Sequence, residues 1–148
     1  MPATPRKGQM FSVIPREPGF LRHVIRTEEV YLVPRTDGRV LIGATVEDVG
    51  FDKRVDPDTI KHMGRLADQI VPEIAHAKIT ESWAGLRPGT PDDLPILGET
   101  EISGYFIATG HFRNGILLAP LTAAIMTKLL RAEAPGHSLE AFSPLRFA

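Results

Sequence analysis

Thirteen glycines and thirteen prolines are spread through the 148 residues, and this punctuation restricts the fold more than any other feature. Proline has no amide to donate and fixes φ, and glycine weakens the interior of helices and strands. The chain is therefore divided into short pieces joined by turns. Residues 9–14 mix apolar and polar positions, end at Pro15 and read as a strand. Glu17, Pro18 and Gly19 read as a turn. Residues 20–25 and 29–34 read as two further strands. Asp37-Gly38 is a strong hairpin signal, with residues 40–45 as the return strand. An antiparallel meander is expected.

Two stretches have helical period instead. In residues 58–70, Ile60, Met63, Leu66, Ala67 and Ile70 share one face. Asp58 or Thr59 is expected to cap this helix, and Pro72 to end it. Residues 78–86 and 105–109 read as strands, with a loop at 110–115. A last helix is expected over about 117–131, with Leu117, Leu121, Ala124, Ile125 and Leu129 on its buried stripe. Pro120 suits that helix only in the first turn, which places the start close to Gly115. The expected fold class is α+β, a mainly antiparallel sheet with two main helices.

Composition narrows the function classes. Apolar residues make up 43%, charged residues 24%, and the formal net charge is -1. Nothing in this balance points to nucleic acid. There is no cysteine, which excludes disulfides, thiolate metal sites, a cysteine nucleophile and any cofactor tethered through sulfur. A reducing cytoplasm is the compartment expected. The run from Ile116 to Leu130 is interrupted by Pro120, Thr122, Thr127 and Lys128 and is too short to span a bilayer. The segment 1–7 has no apolar core behind its charges and does not read as a signal peptide.

Chemistry concentrates in two segments. One is Trp83-Ala84-Gly85-Leu86-Arg87-Pro88, followed by Thr90-Pro91-Asp92; the other runs from Gly110 to Pro120. In the second, a strand enters a loop with a glycine at each end and a helix begins directly behind it. The first amides of a helix lack internal partners and carry partial positive charge, so such a junction accepts an anion. Arg113 lies in that loop, and Arg87, held extended by Pro88, lies at a strand end. Two such arginines suit a bidentate grip on a carboxylate. A plain structural role also suits these residues, with Arg113 pairing to a surface carboxylate and the glycines making turns. Tyr31 offers a phenol donor or a cross-strand aromatic filler.

Other patterns fail on inspection. Gly110 and Gly115 have phosphate-loop spacing, but Ile116 and Leu117 stand where Lys and Ser/Thr are required. No two glycines are separated by one residue, so there is no G-x-G-x-x-G. The histidines at 23, 62, 76, 111 and 137 show no metal spacing, and Ser12 and Ser82 have no nucleophile-elbow context.

Residues 110–120 (GHFRNGILLAP), 83–88 (WAGLRP) with Thr90-Pro91-Asp92, and 31–35 (YLVPR) with 42–45 (IGAT) resemble the glycine oxidase branch of the D-amino-acid oxidase family. Its members are FAD-dependent oxidoreductases, and that branch serves thiamine biosynthesis. The similarity extends over about residues 5–131, and the eleven-residue block is very specific. It implies that Arg87 and Arg113 bind a substrate carboxylate and that Tyr31 lines the substrate pocket. It implies that His111, Phe112, Arg113, Asn114, Gly115, Ile116 and Leu117 face a non-covalent FAD. The implied reaction oxidises glycine, or another small amino acid or amine, to an imine. Hydrolysis then gives a keto acid and ammonia, and dioxygen gives hydrogen peroxide.

The resemblance also implies a departure. Family members begin with the βαβ unit that holds the FAD pyrophosphate, and this sequence lacks it. Residues 1–86 are expected to belong to the substrate domain and 87–148 to the C-terminal piece of the flavin domain. A missing N-terminal half is then the implied partner, with a homo-oligomer as the assembly. The chain alone is expected to be inactive and without bound FAD. The alternative is a non-catalytic module that folds by dimerising or by pairing with a separate N-terminal half.

Overall fold

The computed structural model describes residues 2–17 and 19–147. It divides into two compact units, Lys7–Leu86 and a second made of Met1–Arg6 with Arg87–Ala148. The architecture is mixed α/β, and each strand pair with a defined register is antiparallel. Among the described residues no helix is long and apolar enough to cross a membrane.

The first unit contains most of a five-stranded sheet. Its strands are β1 (Thr4–Ile14), β2 (Ile25–Arg26), β3 (Tyr31–Pro34), β4 (Val40–Gly43) and β5 (Lys78–Gly89), in the order β2-β3-β4-β1-β5. The unit boundaries fall within β1 and β5. The Asp37-Gly38 hairpin forms as expected. Gly38 takes φ +85°, and Arg35 and Arg39 close the turn through a 2.8 Å backbone bond. The anticipated strand at 20–25 does not extend that far. Arg22, His23 and Val24 are exposed and only Ile25–Arg26 pair, while Phe20 and Leu21 pack on the core without strand geometry. Of the turn expected at 17–19, Pro18 lies outside the described residues, and Gly19 takes φ +82°.

Helix α1 (Pro57–Ile70) lies on this sheet. Ile60, Met63 and Ala67 are buried with Phe11, Val13, Leu32 and Ile42, as the helical period requires. The cap is Asp56 rather than Asp58 or Thr59: its carboxylate accepts from the amides of both. The overlooked signal was Pro57, which fits the first helical position because its missing amide is not needed there. Fully buried Gln9 ties the helix start to β1. Its amide oxygen accepts from the Asp56 N–H at 2.7 Å, and its Nε2 donates to Glu47 Oε1 at 2.9 Å. The Lys7 ammonium lies 3.4 Å from Glu47 Oε2.

The second unit holds the hairpin β6 (Ile96–Glu99) and β7 (Phe106–Thr109) and helix α2 (Gly115–Leu130). Strand β6 escaped the sequence reading because Pro95 directly precedes it and Gly98 interrupts it; Gly98 takes φ +131°. Two expectations for α2 need correction. Pro120 lies inside the helix, beyond its first turn, because the helix begins at Gly115. The stripe from Leu117 to Leu129 is also not buried. Only Ile125 is, while Leu117 is 79% exposed, Leu121 is 47% exposed and Ala124 is exposed. Apolar residues surround this helix almost completely, so no single face is distinguished. A helix of that kind normally lies inside a larger body.

Leu32 has no exposed surface and is central to the first unit's core. Leu32→Ala is expected to cost about 2–5 kcal/mol, the range for a buried leucine that leaves a cavity. Denaturant unfolding should read this directly, and a loss below about 1 kcal/mol would mean that the sheet and α1 do not share one core.

Candidate functional site

Strand β7 runs into Gly110 at φ +77°. A Cβ there would lie 2.6 Å from the Thr90 methyl, so backbone conformation and packing both call for glycine. The space beside Gly110 is therefore filled by Thr90. A 3-10 turn, Phe112–Asn114, follows and passes directly into α2. The Asn114 side chain makes no capping bond, so the first amides of the helix have no side-chain partner from that position. Gly115 has ordinary helical dihedrals.

Phe112 adopts φ +49°. This left-handed conformation is costly for a residue with a bulky Cβ, and such strain recurs at binding sites. The conformation places the Phe112 ring 5.1 Å from the guanidinium of Arg113, which is itself exposed. His111 is half-buried, with Nε2 2.9 Å from Thr122 Oγ1 about two turns into α2. Burial pushes its pKa below the usual value of 6.5 and favours the neutral ring. Ile116 and Leu117 are 95% and 79% exposed.

His111 to Leu117 thus form one continuous turn and helix start. Arg87 is half-buried on β5, two residues before the strand ends, and belongs to the same unit. Tyr31 belongs to the other unit. It sits on β3 opposite Gly43, and its hydroxyl donates to Met10 Sδ at 3.6 Å. A thioether is a weak acceptor, so the phenol can exchange it for a stronger one.

In the second unit, an uncapped helix start and a cation lie beside exposed aliphatic side chains. Such a surface suits a partly apolar group that carries negative charge at one end. The sequence reading missed the surroundings of this loop. Thr122, eleven residues from His111, and Arg146, which binds Asp92, have no local signature.

Residues 1–129 match the family model described as FAD dependent oxidoreductase. The chain belongs to that family. It is 43% identical to the bifunctional protein ThiO/ThiG of Trichormus variabilis, over 99% of this chain and 23% of that protein. It is 40% identical to the hydrogen cyanide synthase subunit HcnC of Pseudomonas protegens, over 100% of this chain and 36% of that protein. Its fold superposes on the crystal structure of glycine oxidase from Geobacillus kaustophilus with TM-score 0.89 and 39% identity. That match covers 94% of this chain and 38% of that one. This FAD dependent oxidoreductase chain therefore spans between about a quarter and two fifths of the length of these relatives.

The His111 environment gives a direct test. A ring whose folded pKa is lowered contributes its full stabilisation above 6.5, and loses it as pH falls through the lowered value. An NMR titration of His111 should give a midpoint below 6.5. A midpoint at or above that value would contradict the buried, neutral ring.

Proposed function

We propose that this chain is the C-terminal part of an FAD-dependent amino acid oxidase of the glycine oxidase type. Residues 1–86 contribute to its substrate domain and residues 87–148 to its flavin domain. The observation that supports this best is the junction at 111–117, where a strained Phe112 and an uncapped helix start stand beside Arg113. Similarity to glycine oxidases supports the substrate class. The non-catalytic module has no support among these relatives, which include a glycine oxidase and a hydrogen cyanide synthase subunit.

In this reading Arg87 and Arg113 hold the carboxylate of a small amino acid, with Tyr31 lining its pocket. Guanidinium groups bind a carboxylate in a planar, two-bond geometry and so fix its orientation. His111 to Leu117 form the wall against the cofactor, with the helix start placed to stabilise negative charge. When bound, FAD supplies the two-electron oxidation that converts the amine to an imine. A substrate amine that enters neutral needs no side chain of this chain as acid or base. The pyrophosphate half of the cofactor is left to a preceding βαβ segment, because no G-x-G-x-x-G occurs here.

The chain alone should therefore hold FAD weakly. Fluorescence titration of the homogeneous 148-residue protein is expected to show no binding tighter than roughly micromolar. Tighter binding, with no other polypeptide present, would sink the idea of a missing half.

In the enzyme completed by an N-terminal half, Arg87→Ala or Arg113→Ala removes one side of the carboxylate grip. Loss of a charged partner in a desolvated site costs on the order of 2–5 kcal/mol, equivalent to about 30-fold to several thousandfold in kcat/KM for glycine. Flavin content should hold for Arg87→Ala and fall for Arg113→Ala. If both variants lose only thermal stability and keep kcat/KM, the arginines brace the fold and do not bind substrate.

A further inference from the structure

Arg146 lies in the 3-10 turn Pro144–Phe147, and its side chain is 13% exposed. Its guanidinium is committed on every side. Nε donates to Asp92 Oδ2 at 2.8 Å and Nη2 to Asp92 Oδ1 at 3.1 Å, a two-bond fork. Nη2 also donates to the Leu94 carbonyl at 2.9 Å and Nη1 to the Ser143 carbonyl at 3.1 Å. The Phe147 ring lies against one face at 4.3 Å.

Surface ion pairs normally contribute little. This one differs because of what it holds. Asp92 also accepts from the Leu94 amide at 3.1 Å, which folds residues 90–94 into a tight loop with Asp93 at φ +56°. The Leu94 carbonyl accepts at 2.8 Å from the hydroxyl of Thr90, which is completely buried. Thr90 is thereby fixed, and its methyl is the group that fills the space beside Gly110. The Leu94 carbonyl itself lies 3.5 Å from where a Gly110 Cβ would stand. Gly110 begins the turn that contains His111, Phe112 and Arg113.

We infer that Arg146 is a positioning residue. Through Asp92, Leu94 and Thr90 it sets Gly110 and therefore the ligand-facing turn at 111–115. The functional half of this inference rests on the reading of that turn proposed above. The contact spans 54 residues of sequence, so nothing near Arg146 reveals it. Arg146 touches neither substrate nor cofactor in this scheme. It acts by limiting how far the 90–94 loop can move away from Gly110. Lysine keeps the charge but cannot reproduce the fork, the two carbonyl contacts and the stacked face together.

Hydrogen exchange on the 148-residue chain tests the bracing without reference to activity. In Arg146→Ala, exchange across residues 110–115 should accelerate on the order of tenfold, while residues 31–43 of the other unit stay unchanged. Arg146→Lys and Asp92→Asn are milder changes that keep the test open if the alanine variant does not fold. They should lie between the alanine variant and the parent, with lysine restoring part of the protection. Faster exchange confined to 140–147, or a parent chain with no protection at 110–115, overturns the bracing.

The completed enzyme supplies the second readout. Arg146→Lys should raise KM for glycine and weaken flavin retention more than it lowers kcat. A loosened turn with both unchanged would instead refute the ligand-facing role of 111–115. The two failures are distinguishable, because bracing is read by exchange alone.

Discussion

Ile96, Leu97 and Ile125 are the buried hydrophobic side chains among the described residues of the second unit. An interior this small cannot offset the ordering of its backbone by apolar burial alone. Much of the α2 surface stays uncovered, with Ile116, Leu117, Leu121 and Leu130 between 47% and 95% exposed. Contiguous apolar surface of this kind marks an interaction site in a soluble protein. The relatives are about two and a half to four times as long as the matched region. Relatives of that length carry additional chain beyond the matched region. The first unit has no such deficit, since α1 and the sheet enclose a shared core of Phe11, Leu32, Ile42 and Met63.

With so little apolar interior, the second unit relies on directional bonds. The 90–94 loop is organised by Thr90, Asp92 and Arg146, and the resulting geometry is specific in a way that apolar packing would not be. The first unit uses the same device once, where Gln9 and Lys7 meet Glu47. In both places a buried polar side chain fixes a loop against a strand. Each such network is stable only when all its members are satisfied. Among the described residues no buried side-chain nitrogen or oxygen lacks a partner.

Local signals account for what the sequence revealed. Asp37-Gly38 specifies its turn through φ alone, and the apolar period of α1 specifies its face without reference to distant chain. The eleven residues from Gly110 to Pro120 likewise mark a turn and a helix start that lie where the spacing placed them. The errors occurred where tertiary context decides. Residues 20–24 have strand-like composition but pack as an irregular segment. The hydrophobic period of α2 says which residues could be buried, not whether anything covers them. Arg146 acts across 54 residues that no local window contains, and Thr122 carries no signature of its contact with His111.

The electrostatics of the turn at 111–115 follow from the same geometry. His111 and Arg113 are two residues apart, and two cations there would oppose one another and compete for one anion. The half-burial of His111 beside Thr122 favours the neutral ring. Arg113 is then the charged side chain of the turn, and the exposed strip of Ile116 and Leu117 adds none. In the proposed reading, a single cation beside an uncapped helix start distinguishes ligand orientations better than a diffuse pair would. Conversely, acidification through the His111 pKa would add a second positive charge and loosen the packing against α2. The feature that keeps the histidine neutral therefore also leaves Arg113 as the one charged side chain of residues 111–115.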